Sequence, residues 1–98
     1  MSNWHTQQID ELFEAILTLK SVEECYAFFE DACTITAIIE IAQRLKVAKL
    51  LDAGTSNVAV STEVGVSTAT ISRVSKCLEY GNGGYKMVME RVDKGEKS

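Results

Sequence analysis

Ser67, Thr68, Ala69, Ser72 and Lys76 fall together in the run VSTEVGVSTATISRVSKCL, from Val60 to Leu78. Their types suit one chemistry, the reading of a polyanionic double helix. Small and hydroxylated side chains at the start of a helix can come close to base edges in a DNA major groove, and a lysine further along can hold a phosphate. Catalysis has no comparable set. The only histidine is His5, no Ser/His/Asp or Cys/His group converges on an expected cleft, and the glycines from Gly81 to Gly84 follow a helix rather than a strand, which makes them a linker. An enzyme is not expected.

Those residues need a scaffold that holds one helix outward, and the same run supplies it. Val60, Val64 and Val66 are apolar, Gly65 lies between two of them, and Ile71, Val74 and Leu78 follow at helical spacing. That pattern predicts a helix-turn-helix, with Gly65 taking the left-handed backbone of the turn. Ser67 is placed to cap the second helix. Ile71, Val74 and Leu78 would be buried, and Thr68, Ala69, Ser72 and Lys76 would face outward. An ordinary helical corner has similar spacing, but the outward face lacks large apolar residues, which favours the groove-reading unit.

The rest of the chain reads as helix. A stripe of Ile9, Leu12, Phe13, Ile16 and Leu17 predicts a first helix from about Gln7 to Lys20. Ser21 with Glu24 forms a capping-box signature for a second helix starting near Val22. That helix carries Val22, Tyr26, Phe28, Phe29, Ala32 and Cys33 and is apolar nearly all round, which calls for cover on several sides. Thr34 or Thr36 can cap a third helix running to about Asp52, and Gly54 stops it. Thr55, Ser56 or Asn57 can cap the first helix of the motif, near Asn57 to Val64. The recognition helix spans about Thr68 to Tyr80 and a last short helix about Tyr85 to Val92. Residues 1–5 are expected to be disordered, and a charged tail follows from Gly95.

With 98 residues the chain is long enough for one domain, 1–98, with a modest core. Its parts are a helical dimerisation region at about 7–53, the helix-turn-helix at about 55–80 and the C-terminal helix at about 85–92. The first three helices hold more apolar surface than the motif needs. The expected fold is therefore all-α, an intertwined homodimer whose two recognition helices meet half-sites roughly 34 Å apart.

The net charge of −4 is unevenly spread. Met1 to Glu40 holds eight acids and one base, whereas Ile41 to Ser98 holds six acids and nine bases. The basic half is the one containing the motif, as contact with nucleic acid would require. Lys46, Lys49, Lys76 and Lys86 can reach phosphates or serve as solvated surface charge. Cys25, Cys33 and Cys77 form no C-x-x-C pair and sit among apolar neighbours, so buried reduced thiols are expected. No basic segment followed by an apolar run opens the chain, and no stretch is apolar enough to span a bilayer, so a cytoplasmic location without membrane contact is expected.

ECYAFFEDACT (Glu24 to Thr34), QRLKVAKLL (Gln43 to Leu51), STATISR (Ser67 to Arg73) and YKMVMERV (Tyr85 to Val92) resemble the Trp-repressor family in its small, Trp-repressor-like (YerC/YecD-type) branch. The resemblance covers about residues 8 to 92. It implies an all-helical intertwined dimer that binds operator DNA and represses transcription. In tryptophan-responsive members, the resemblance places ligand contacts at Arg44, Arg73 and Thr70, with Thr34 contributed by the other subunit. One guanidinium would stack on the indole and the other pair with the carboxylate. Val74 stands where those repressors carry glycine, and its branched side chain should occupy the space in which the indole packs. The two arginines have another reading, as ion-pair partners of acids such as Glu40 or of phosphate.

The resulting expectation is a sequence-specific, homodimeric DNA-binding regulator, a repressor, with Lys46 and Lys76 on phosphates and Thr68, Ala69 and Ser72 toward bases. A tryptophan-like corepressor is the only small-molecule partner implied. The alternative from another class is a helical protein–protein adaptor that keeps the helix-turn-helix for its shape.

Overall fold

The computed structural model describes residues 4–95, which form six α-helices and no strand. They are α1 (Gln7–Ile16), α2 (Val22–Ala32), α3 (Ile35–Asp52), α4 (Asn57–Val64), α5 (Thr68–Tyr80) and α6 (Gly84–Asp93). The all-helical expectation is met. The helices fall into two compact units, one holding α1 and α2 and the other running from Thr34 through α3 to α6.

In the first unit, Thr6 caps α1 by accepting from the Ile9 N–H at 3.2 Å. The helix ends at Ile16, short of the Lys20 predicted by its apolar stripe. The cause is local. The Thr18 hydroxyl donates to the Ala15 carbonyl at 2.6 Å, and the Thr18 and Leu19 N–H groups close onto Ala15 and Ile16, tightening the last turn. Ser21 accepts from the Glu24 N–H at 3.1 Å, as its capping role requires. The Glu24 carboxylate completes the box one residue early, accepting from Lys20 rather than from Ser21. Phe28 and Phe29 stack edge to face, with ring centroids 5.2 Å apart. Neither α1 nor α2 buries a side chain fully, and Leu17, Val22 and Tyr26 stand exposed. Of the N-terminal segment expected to be disordered, residues 1–3 lie outside the described residues, and the Trp4 ring meets His5 edge on. The charged tail beyond Gly95 also lies outside them.

The second unit has the core. Val47, Ala48, Val60, Ile71, Val74 and Met89 are buried, with Leu45, Leu51, Val64, Val66 and Leu78 packed around them. Every helix of this unit contributes, so the motif helices α4 and α5 rest on α3 and α6. Thr34 caps α3 by accepting from Ala37 at 3.1 Å, which settles the choice between Thr34 and Thr36. Ser56 does the same for α4, accepting from Ala59 at 3.2 Å. At the turn, Gly65 has φ +78°, the left-handed conformation predicted for it, and its N–H bonds the Ser61 carbonyl. The Ser61 hydroxyl crosses the turn to the Val66 carbonyl at 3.0 Å and so ties α4 to the start of α5.

The cysteines depart from expectation. Cys25 and Cys77 are exposed and Cys33 is half-buried. Cys77 lies on an open apolar groove of about 540 Å³ with Ile41, Leu45, Tyr85, Met87 and Val88. Its neighbours are apolar, as the sequence indicated, but one copy of the chain does not close over them.

Candidate nucleic-acid interface

The side chains that could meet DNA start from α5. Ser67 caps the helix, accepting from the Thr70 N–H at 3.3 Å. The underside is fixed by Ile71 and Val74, each 1% exposed, with Leu78 half-buried beside them. A helix with its inner face seated this firmly must turn its other face out. Thr68, Ala69, Ser72, Arg73 and Lys76 are all exposed there. The first turn of α5 also leaves backbone N–H groups without intrahelical partners, and these favour anions. Lys46 is exposed on α3 directly before the buried Val47 and Ala48, so a rigid position carries its flexible cation.

The four residues tied to a corepressor by resemblance separate into two sets. Arg44 and Thr70 line one cavity of about 200 Å³, together with Glu40, Gln43, Val66 and Ser67. Arg73 is exposed on α5 and does not line it, while Thr34, which the resemblance assigns to the other subunit's site, caps α3 of its own chain. Val74 is part of the core rather than a wall of the cavity, and it fills its space completely. An indole needs a largely apolar container. Here Val66 is the only large apolar side chain in the lining, so the part of the site that one chain forms does not by itself fit an indole.

Of the ion-pair reading of the arginines, the carboxylate half is not met in this structure. Among the described residues the only ion pair is Lys94–Glu90 at 3.9 Å, so neither Arg44 nor Arg73 has a carboxylate partner. Sequence reading named Glu40 only as such a partner and passed over Gln43. The available signal was that Glu40 lies three residues before Gln43 and four before Arg44 on α3, spacings that share a helix face. No group of three or more metal-ligating side chains gathers among the described residues, and no described helix is long and apolar enough to cross a membrane.

Comparison with known proteins agrees with this geometry. The uncharacterized protein YerC of Bacillus subtilis (strain 168) is 52% identical over 90 residues, covering 92% of this chain and 86% of its own. A solved TrpR-like protein from Eubacterium eligens superposes with a TM-score of 0.87 at 49% identity, covering 90% of this chain and 91% of that one. A solved Staphylococcus aureus protein superposes with a TM-score of 0.88 at 47% identity, covering 91% and 89%. The Trp repressor protein family model matches residues 7–93. The helix-turn-helix packed on α3 and α6 and this match over nearly the whole chain have one meaning: the protein belongs to the Trp repressor family.

Proposed function

We propose that this chain is a sequence-specific DNA-binding transcriptional regulator, a cytoplasmic repressor, that works as a homodimer with α5 of each copy in the major groove. One observation carries the reading: α5 is anchored by buried Ile71 and Val74 while Thr68, Ala69, Ser72 and Lys76 stand free on its outer face. In this arrangement Thr68, Ala69 and Ser72 meet base edges, and Lys76 and Lys46 hold phosphates that fix the register. The family's regulator character supports the assignment and is not that of an enzyme. The dimer is supported by the large apolar side chains that one copy leaves exposed in each unit, Tyr26 in the first and Ile41 and Met87 in the second. No step in this scheme requires tryptophan.

Fluorescence anisotropy on DNA fragments selected from genomic libraries tests the proposal. Four lysine–phosphate contacts per dimer predict a logarithmic affinity–salt slope of about −4. Absence of any enriched fragment, or affinity that ignores salt, would sink it. The overall charge of −4 favours the other reading, a protein–protein adaptor, and the same selection separates the two, since an adaptor enriches no DNA.

A further inference from the structure

Ser61, on α4, grips the turn of the motif at two points. Its carbonyl accepts from the Gly65 N–H at 2.9 Å, and its hydroxyl donates to the Val66 carbonyl at 3.0 Å. The direction of the second bond is informative. A serine or threonine inside a helix can bond the carbonyl one turn back, and the neighbouring Thr62 does so, donating to Val58 at 3.1 Å. Ser61 reaches forward instead, past Gly65. Every other side-chain hydrogen bond among the described residues joins residues three or four apart, within one helix or at its ends. This bond alone among them joins α4 to the segment that enters α5. Ser61 and Val66 are both half-buried, and Val66 packs on the core, so the bond is partly shielded from water and correspondingly firmer. The next residue, Ser67, caps α5 by accepting from the Thr70 N–H. A continuous path of bonds thus runs from α4 to the first turn of the recognition helix.

We infer that Ser61 is a positioning residue for sequence discrimination: its hydroxyl fixes the pose of α5, and with it Thr68, Ala69 and Ser72, while contacting no base itself. The inference rests on the DNA-binding reading. Its physical content is a difference in tolerance. Short side chains that read base edges must be held to within about 0.5 Å and 10–20°. A lysine reaches its phosphate on a flexible four-carbon stem and accepts a range of poses. A loosened turn therefore costs discrimination between sequences before it costs the phosphate-driven affinity. Loss of a direct contact from Ser61 to phosphate would do the reverse, weakening all sequences alike.

The test compares wild type with S61A, S61T and S61V in the full chain. Thr and Val have nearly the same shape, so the difference between S61T and S61V isolates the hydroxyl. With helical circular dichroism retained, S61A and S61V should lower the ratio of affinity for the selected fragment over its single-base variants by about two- to fivefold, the upper figure being the worth of one such hydrogen bond. Their salt slope should stay at the wild-type value, and S61T should restore the ratio. Without DNA, amide hydrogen exchange at Thr70 and Ile71, the first bonded N–H groups of α5, should be about fivefold faster in S61A. The inference is overturned by an unchanged ratio in S61A, by equal loss on every fragment, by S61T behaving as S61V, or by unchanged exchange. A wild type that enriches no DNA would sink the DNA-binding reading, whereas the exchange comparison decides by itself whether Ser61 holds α5.

Discussion

Lys76 and Thr68 sit about two turns apart on the exposed face of α5, and their chemistry gives them separable tasks. An ammonium at the end of a flexible stem meets phosphate as a point charge and carries no sequence information. A hydroxyl in the first turn is short, directional and close to base edges. Lys76→Ala should therefore weaken binding to all fragments alike and make the salt slope shallower by about 2, one contact for each copy of a dimer. Thr68→Ala or Ser72→Ala should leave the slope near its original value and redistribute preference among sequences, by about 1–3 kcal/mol at the affected base pair. Anisotropy against a panel of single-base variants of the selected fragment reads both effects. Uniform loss from all three substitutions would remove the distinction between positioning and reading. Arg73 is exposed on the same helix, and a phosphate contact from it in each copy would steepen the slope by about a further 2, a contribution that Arg73→Ala reads.

Among the elements, the turn between α4 and α5 sets the angle at which the recognition helix leaves the core. Gly65 holds it at φ +78°, and a Cβ added there would meet no atom within 4 Å. The cost of Gly65→Ala is thus conformational alone, about 1–2 kcal/mol, with no clash to relieve. Urea denaturation should show a lower midpoint at an unchanged slope, and Gly65→Asn should recover part of the loss. Gly81 is a different case: its φ is ordinary, but an added Cβ would collide with the Cys77 carbonyl oxygen at the end of α5. The early end of α1 belongs to the same scale. An apolar stripe says where a helix could continue, while the Thr18 hydroxyl, bonded to Ala15, decides where it stops.

For the whole molecule the governing fact is incomplete burial. The second unit seals a core of six side chains, yet Ile35, Ile39, Ile41, Tyr80, Met87 and Val92 remain about half exposed or more. Apolar surface on that scale marks an interaction face, and two copies of the same chain would give the paired recognition helices that half-site spacing needs. Sedimentation equilibrium should return the mass of two chains. Ile41→Asp should shift it to one chain and lower DNA affinity with the helical content retained, because Ile41 is 63% exposed in the single copy and supports no core there. A wild-type protein that sediments as a single chain at micromolar concentration would refute the dimer.

Much of this protein is written in short-range sequence. The spans of α4 and α5, the caps at Ser21, Thr34 and Ser67, the left-handed Gly65 and the outward set of Thr68, Ala69, Ser72 and Lys76 all follow from neighbours within a turn or two. Caps, turn glycines and helical periodicity act over that distance, so they can be read without the fold. The cavity could not be read in this way. That Arg44 and Thr70 share it while Arg73 does not, that Glu40 has no ion-pair partner among the described residues, and that Cys77 opens onto an apolar groove depend on how α3, α5 and α6 cross. Packing between elements distant in sequence sets those crossings, and no local pattern of residues encodes them.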